Sequence, residues 1–181
     1  APLREAIASY EDVKPEHIIC GNGAAELVFS LCQALKPKRA LIPVPTFAEY
    51  EQALESVGAK VEHVLLKEDD EFRIQDSFID WLHKDLDMVF LCNPNNPTGM
   101  LTDREFLFKL LRVCREMGIF LVVDECFQDF IREPGQYSLK AQLPRYHNLF
   151  LLKAFTKRYA MAGARLGYGI TENEELLEKM T

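Results

Sequence analysis

One lysine, Lys157, follows directly on a β-rich run, Asn148-Leu-Phe-Leu-Leu, inside the stretch Ala154 to Tyr168, which reads AFTKRYAMAGARLGY. An amine presented at the end of a strand condenses with a carbonyl once it has shed its proton. Eight residues on, between Gly163 and Gly167, stands Arg165, whose rigid fork of donors is shaped to grip a phosphate. A lysine in a turn after a strand is, alone, an ordinary solvated feature. Its meaning depends on what else the chain brings to the ends of its strands.

Four other places qualify. Gly21-Asn-Gly-Ala-Ala opens a helix, so the small residues Asn22, Gly23 and Ala24 let backbone N–H groups close on an anion; a plain structural turn is the alternative. Phe47, in Pro45-Thr-Phe-Ala-Glu-Tyr, offers a face to a flat aromatic ligand or simply joins the core. The loop Asn93-Pro-Asn-Asn-Pro-Thr-Gly99 is stiffened by two prolines, which leaves the amides of Asn93, Asn95 and Asn96 free to point at a ligand. Asp124 ends a very apolar strand, where a carboxylate is expensive unless it meets a cation or donors; a helix N-cap is the other reading.

The elements that must position these residues follow from periodicity. Helical spacing is expected over Ala1 to Tyr10, from Gly21 to Pro37, from Pro45 to about Val57, over Ile74 to Leu86, and over Glu172 to Met180. Thr102-Asp-Arg-Glu105 reads as a capping box for a further helix ending at Gly118. Strands are expected at His17–Cys20, Arg39–Pro43, Ala59–Leu66, Met88–Cys92, Ile119–Val123, from Asn148 to about Phe155, and at Arg165–Ile170. Strands apolar on both faces and alternating with helices describe an α/β, three-layer α-β-α architecture with a mostly parallel sheet. In such sheets ligands bind at the carboxyl ends of the strands, which is where every candidate falls.

Composition narrows the partners. The 181 residues carry a formal net charge of -7, which argues against nucleic acid, since a phosphate backbone demands a basic face. Five cysteines, an odd number with no CxxC, read as reduced thiols of a cytoplasmic protein. No apolar run reaches the roughly 18 residues of a membrane span. The four histidines, His17, His63, His83 and His147, lack ligand spacing, so no metal is expected.

Taken together, the candidates fit one cofactor. A pyridine ring bearing an aldehyde and a phosphate needs a lysine for the aldehyde and an acid for the ring nitrogen. It also needs an aromatic face, an amide for its phenolic oxygen, and an arginine with a helix start for the phosphate. That group is pyridoxal 5′-phosphate, an electron sink for carbanions.

NPNNPTG, VVDE and TK…GxRxGY in combination mark the whole chain as resembling fold-type I, aspartate-aminotransferase-like pyridoxal-phosphate enzymes. The branch is that of histidinol-phosphate aminotransferases and threonine-phosphate decarboxylases. The resemblance implies that Lys157 binds the cofactor and shuttles protons, and that Arg165 and Thr156 hold the phosphate with Asn22, Gly23 and Ala24. It further implies Asp124 at the pyridinium nitrogen, Asn96 at the phenolic oxygen and Phe47 on the ring.

TFAEY, FLCNPNNPTG, DECFQDF and NLFLLKAFTKRYAMAGARLGYG look closest to the decarboxylases, as does Phe127, where aminotransferases of this group usually carry tyrosine. The expected reaction is therefore decarboxylation of L-threonine O-3-phosphate, a step of cobalamin biosynthesis. The alternatives are transamination of histidinol phosphate or another amino acid, and a non-catalytic regulatory domain that binds the cofactor. Ala154 stands where relatives often have a phosphate-binding serine or threonine. Residues 1–181 are expected to be the large domain of a homodimeric enzyme of amino-acid metabolism, without the N-terminal arm and C-terminal small domain.

Overall fold

The computed structural model describes residues 2–158, 163 and 165–181. Within the lysine–arginine stretch, Tyr159, Ala160, Met161, Ala162 and Ala164 lie outside the described residues. Six strands and a seventh late one build one sheet: β1 (Ile18–Gly21), β2 (Arg39–Val44), β3 (Lys60–Leu65), β4 (Met88–Cys92), β5 (Phe120–Asp124), β6 (Leu149–Ala154) and β7 (Gly167–Ile170), in the order β1-β7-β6-β5-β4-β2-β3. β7 runs antiparallel to both its neighbours, and the other strands are mutually parallel. The mostly parallel sheet expected from the alternation of strands and helices is present.

Helices cover both faces, as buried parallel strands require. One face packs against α1 (Pro2–Glu11) and α4 (Arg104–Met117), through Ile7, Leu107, Leu110 and Leu111. The other packs against α2 (Ala24–Leu35), α3 (Glu49–Ser56) and α6 (Glu174–Met180), through Leu27, Leu31, Leu54 and Leu177. Strand residues alternate between the two cores: Leu121, Val123, Leu149 and Leu151 face α1 and α4, while Val122, Phe150 and Leu152 face α2 and α3. This parity decides which side chains meet at the site.

Two sequence expectations shift. The helix expected over Ile74 to Leu86 is a 3₁₀ turn, Asp76–Trp81, followed by extended chain from Leu82. Gln75 before it makes no side-chain cap, and Asp76, Ser77 and Asp80 favour local turns over helix interior. Phe78, Leu82 and Leu86 still reach the core, which is why the spacing mimicked a helix. The start of α4 also moves by one residue. Asp103, not Thr102, is the N-cap, its Oδ1 accepting from Phe106 N–H at 2.9 Å, because the Thr102 N–H is already taken by Asn93 Oδ1.

On the α1 side, just past the ends of β5 and β6, lies a buried charge cluster. Lys153 Nζ sits 3.4 Å from Glu11 and 3.5 Å from Glu125. Lys140 and the Tyr168 hydroxyl also donate to Glu11, and the Ser138 hydroxyl donates to Glu125. Burial works to raise the Glu11 carboxyl, but Lys153, Tyr168 and Lys140 together hold it below the usual range. Burial works against the Lys153 ammonium, and its two glutamates hold it above the ordinary lysine value.

Candidate functional site

The carboxyl ends of β4, β5 and β6 line up on one edge of the sheet. Cys92 pairs with Asp124 in register, and Asp124 with Leu152. By parity Cys92, Asp124 and Ala154 turn toward α2 and α3, where they wall a cavity of about 340 Å³. That volume is within the range of small-ligand sites. Of the nine residues singled out in the sequence, eight line it: Gly23, Ala24, Phe47, Asn96, Asp124, Thr156, Lys157 and Arg165. They come from five separate stretches of chain.

Asn22 does not reach the cavity. Its backbone N–H is bound by the Glu26 carboxylate, which closes the turn on itself before α2 begins. Gly23 takes its place, with a positive φ of 94° that glycine adopts without strain. A side chain there would bring its Cβ to 3.2 Å from Arg165 Nη2, so the missing carbon leaves a cradle between the arginine and the first N–H groups of α2. Gly167 keeps β7 against this turn, since a Cβ would stand 2.4 Å from the Ala24 nitrogen. Arg165 is exposed and Thr156 half-buried on the same rim.

Lys157 extends from α5 (Phe155–Arg158), a single helical turn that follows β6 without a linker. Its ammonium lies 5.3 Å from the centre of the Phe127 ring. Phe127 thus presents a π-face rather than a hydroxyl at this point of the cavity wall. Ala154, the other departure noted in the sequence, is buried in the wall and carries no donor toward it.

Asp124 is buried among uncharged partners. Its Oδ2 accepts from the Tyr50 hydroxyl at 2.5 Å and its Oδ1 from the Cys126 N–H at 2.9 Å. Among the described residues it forms no ion pair. Burial raises its carboxyl above the usual aspartate range, against which the donors of Cys126 and Tyr50 and the more distant charge of Lys157 pull it down. Asp124 is not a helix N-cap, the other reading of a strand-end acid: the following 3₁₀ turn starts at Gln128 with Phe127 before it, and the bond from Cys126 N–H occupies one oxygen only. Burial, reinforced by Asp124, pushes the Cys92 and Cys126 thiols up as well, so both are neutral wall rather than nucleophiles.

The proline-stiffened loop divides its asparagines. Asn93 and Asn95 are buried and fully engaged, contrary to the expectation that all three amides are free. The Asn93 amide donates to the Thr102 and Tyr137 carbonyls and accepts from Thr102 N–H. The Asn95 amide donates to the Pro45 carbonyl and Thr98 hydroxyl and accepts from Thr46. Two amides hold the loop in shape, and the third, Asn96, is left on the cavity wall.

Two residues at the site escaped the sequence reading. Tyr50, in the first turn of α3 and three positions beyond Phe47, stands behind the wall in contact with Phe47 and Asp124. Glu49 lines the cavity, and its Oε2 is buried with no hydrogen-bond partner among the described residues. Both stand in the TFAEY motif, whose spacing carried the only available signal.

The family model described as "Aminotransferase class I and II" matches residues 1–181. The chain belongs to the class I and II aminotransferase family. It is 37% identical over 178 residues to the threonine-phosphate decarboxylase of Salmonella typhimurium, covering 98% of this chain and 48% of that one. Among solved structures it resembles the histidinol-phosphate aminotransferase of Clostridium acetobutylicum, with a TM-score of 0.88, 34% identity, and coverage of 98% of this chain and 52% of the other. The L-threonine-O-3-phosphate decarboxylase of Porphyromonas gingivalis follows with a TM-score of 0.84, 27% identity, and coverage of 99% and 51%. The chain spans about half the length of the curated relatives it matches.

The wall residues fit pyridoxal phosphate. An acid without a cation among the described residues, a glycine cradle beside an arginine and an amine at a strand end are the acceptor, the anion site and the nucleophile that the group's ring nitrogen, phosphate and aldehyde require.

Proposed function

We propose that this chain is the cofactor-binding large domain of a pyridoxal-phosphate enzyme that decarboxylates a phosphorylated amino acid, L-threonine O-3-phosphate first among them. The observation that carries the reading is the pairing of Asp124 and Lys157 on one cavity: a buried acid that lacks a cation, and an amine at the same strand edge. When bound, the cofactor supplies an electron-poor ring that accepts the electron pair released at the substrate Cα.

The chain's own residues do the rest. Lys157 would hold the cofactor's aldehyde group and would carry the proton exchanged at the substrate Cα. Asp124 keeps the ring nitrogen protonated, which maintains its electron demand. Arg165, Thr156 and the first N–H groups of α2 anchor the phosphate, Phe47 covers the ring and Asn96 donates to its phenolic oxygen. Phe127, where aminotransferases of this branch usually carry tyrosine, supports the decarboxylase reading by resemblance. Transamination of histidinol phosphate is the second reading, favoured by the likeness to the Clostridium aminotransferase. The proposed setting is a cytoplasmic homodimer.

The test is an absorption spectrum of the full-length protein with pyridoxal phosphate, repeated with Lys157→Ala. A visible band in the parent that vanishes in the variant is the expected result. Carbon dioxide released from threonine phosphate, against amino transfer from histidinol phosphate to 2-oxoglutarate, then separates the two reactions. A parent without a band sinks both.

A further inference from the structure

Tyr50 is completely buried in the first turn of α3, and its ring and its hydroxyl meet two different walls of the cavity. The ring stacks on Phe90, with centroids 5.0 Å apart and planes 12° apart, and stands edge-on to Phe47 at 5.5 Å. The hydroxyl donates to Asp124 Oδ2 at 2.5 Å, across 74 residues of chain. A phenylalanine would keep both ring contacts, so packing alone does not call for the oxygen. A buried hydroxyl needs a partner, and here the partner is Asp124, the acid at the end of β5 that makes no ion pair among the described residues.

We propose that Tyr50 is a positioning residue of the cofactor site: its hydroxyl holds the Asp124 carboxylate charged and in one orientation, while its ring braces Phe47. One side chain thereby sets both the acid that meets the ring nitrogen and the aromatic face that covers the ring. The inference rests on the pyridoxal-phosphate reading and deepens it.

Three donors act on Asp124 against its burial: the Cys126 thiol, the Tyr50 hydroxyl and the Cys126 N–H, with Lys157 from α5 acting only at a distance. Cys92 from β4 and Cys126 after β5 are neutral thiols. Tyr50 is the donor that comes from another element, and its bond favours the charged carboxylate. Losing the hydroxyl removes one charge-assisted bond, which raises the carboxyl's proton affinity about tenfold, or about one pH unit. A more readily protonated Asp124 pairs less firmly with a protonated ring nitrogen. The bound chromophore then loses positive charge in the ring, and the pH midpoint of its visible absorption rises.

The experiment compares full-length wild type, Tyr50→Phe, and a protein carrying 3-fluorotyrosine, a stronger donor, at position 50. Carbon-13 NMR of the Asp124 carboxyl in the cofactor-free proteins is the first readout. The expected midpoint rises by about one pH unit in Tyr50→Phe and falls below wild type with fluorotyrosine. The visible absorption midpoint of the pyridoxal-phosphate-loaded proteins moves in the same two directions. Should Tyr50→Phe fail to fold, the fluorotyrosine protein, which keeps the shape, carries the test alone. An unmoved Asp124 midpoint beside a normal visible band, or a shift of one sign in both proteins, reduces Tyr50 to packing and overturns the proposal. A wild type that develops no band, with Asp124 moving as stated, overturns the cofactor reading instead and with it Tyr50's place in the site.

Discussion

Asp124 and Glu125 are chain neighbours, both buried at the end of β5 and both raised by that burial, but they meet different partners. Strand parity sends Glu125 to the α1 side, where Lys153 waits 3.5 Å away and the Ser138 hydroxyl and Leu139 N–H complete its bonding. The same parity sends Asp124 to the α2 and α3 side, where a hydroxyl and an amide receive it and, among the described residues, no cation pairs with it. A buried acid supplied with its own lysine is finished and serves the fold. A buried acid left with neutral donors is unfinished, and it is suited to a cation that arrives with a ligand. The difference separates a structural charge from a functional one without reference to any bound molecule.

Removing the cation from the finished side is the harshest way to break this contrast. Lys153→Met leaves Glu125 without a cation and Glu11 with Lys140 alone, and should cost about 3–5 kcal/mol in denaturant unfolding. A loss below about 1 kcal/mol would mean the cluster is hydrated and the contrast false. On the unfinished side, Asp124→Asn should lower turnover of the full-length enzyme by about 10²–10³-fold, the cost of one preorganised electrostatic partner. The cofactor-free protein should lose no stability, because its buried charge had no counter-charge to lose. Marked destabilisation by Asp124→Asn, read by thermal unfolding, would contradict that.

Acidity sharpens the comparison further. The Asp124 carboxyl is raised in the folded state, so the native protein holds that proton more tightly than the unfolded chain does. Its contribution to stability is present below the ordinary aspartate range and is lost as pH rises through the raised midpoint. Glu11 behaves oppositely: its depressed carboxyl contributes stability above the ordinary glutamate value of 4.5, which is lost as pH falls through the folded midpoint. Unfolding curves of cofactor-free wild type and Asp124→Asn should therefore converge on acidification and separate as pH rises. The smallest effects belong to the asparagine loop. Asn93→Ala, which strands buried partners, should cost about 1–3 kcal/mol, and Asn96→Ala less than about 0.5 kcal/mol while weakening cofactor binding.

Much of this site was legible in the sequence because its parts are strand ends. Lys157, Asp124 and Asn96 each follow an apolar run whose termination is easy to read, and a parallel sheet gathers such ends on one edge. What escaped depends on pairing across the fold. Nothing local says that Asn93 and Asn95 spend their amides on Thr102, Tyr137 and Pro45. The closing of Asn22 by Glu26, four residues on, was by contrast a local signal that went unread. The Lys153 cluster needs the register of three strands and the docking of α1 before its members become neighbours. The false helix over Ile74–Leu86 arose because apolar spacing reports burial, and a 3₁₀ turn with extended chain buries the same residues.

The antiparallel strand β7 carries one more consequence, for the order in which the molecule can be made. β1 has no neighbour in the sheet except β7, which is formed by residues 167–170, nearly the whole chain later. The turn at Gly23 that cradles Arg165, and the arginine itself, therefore stay apart while the ribosome is still adding everything between them. A chain ending before Gly167 possesses the acid and the lysine, but its β1 and the Gly23 turn are not yet held against β6. The cavity closes only when β7 slides between the first strand and the sixth.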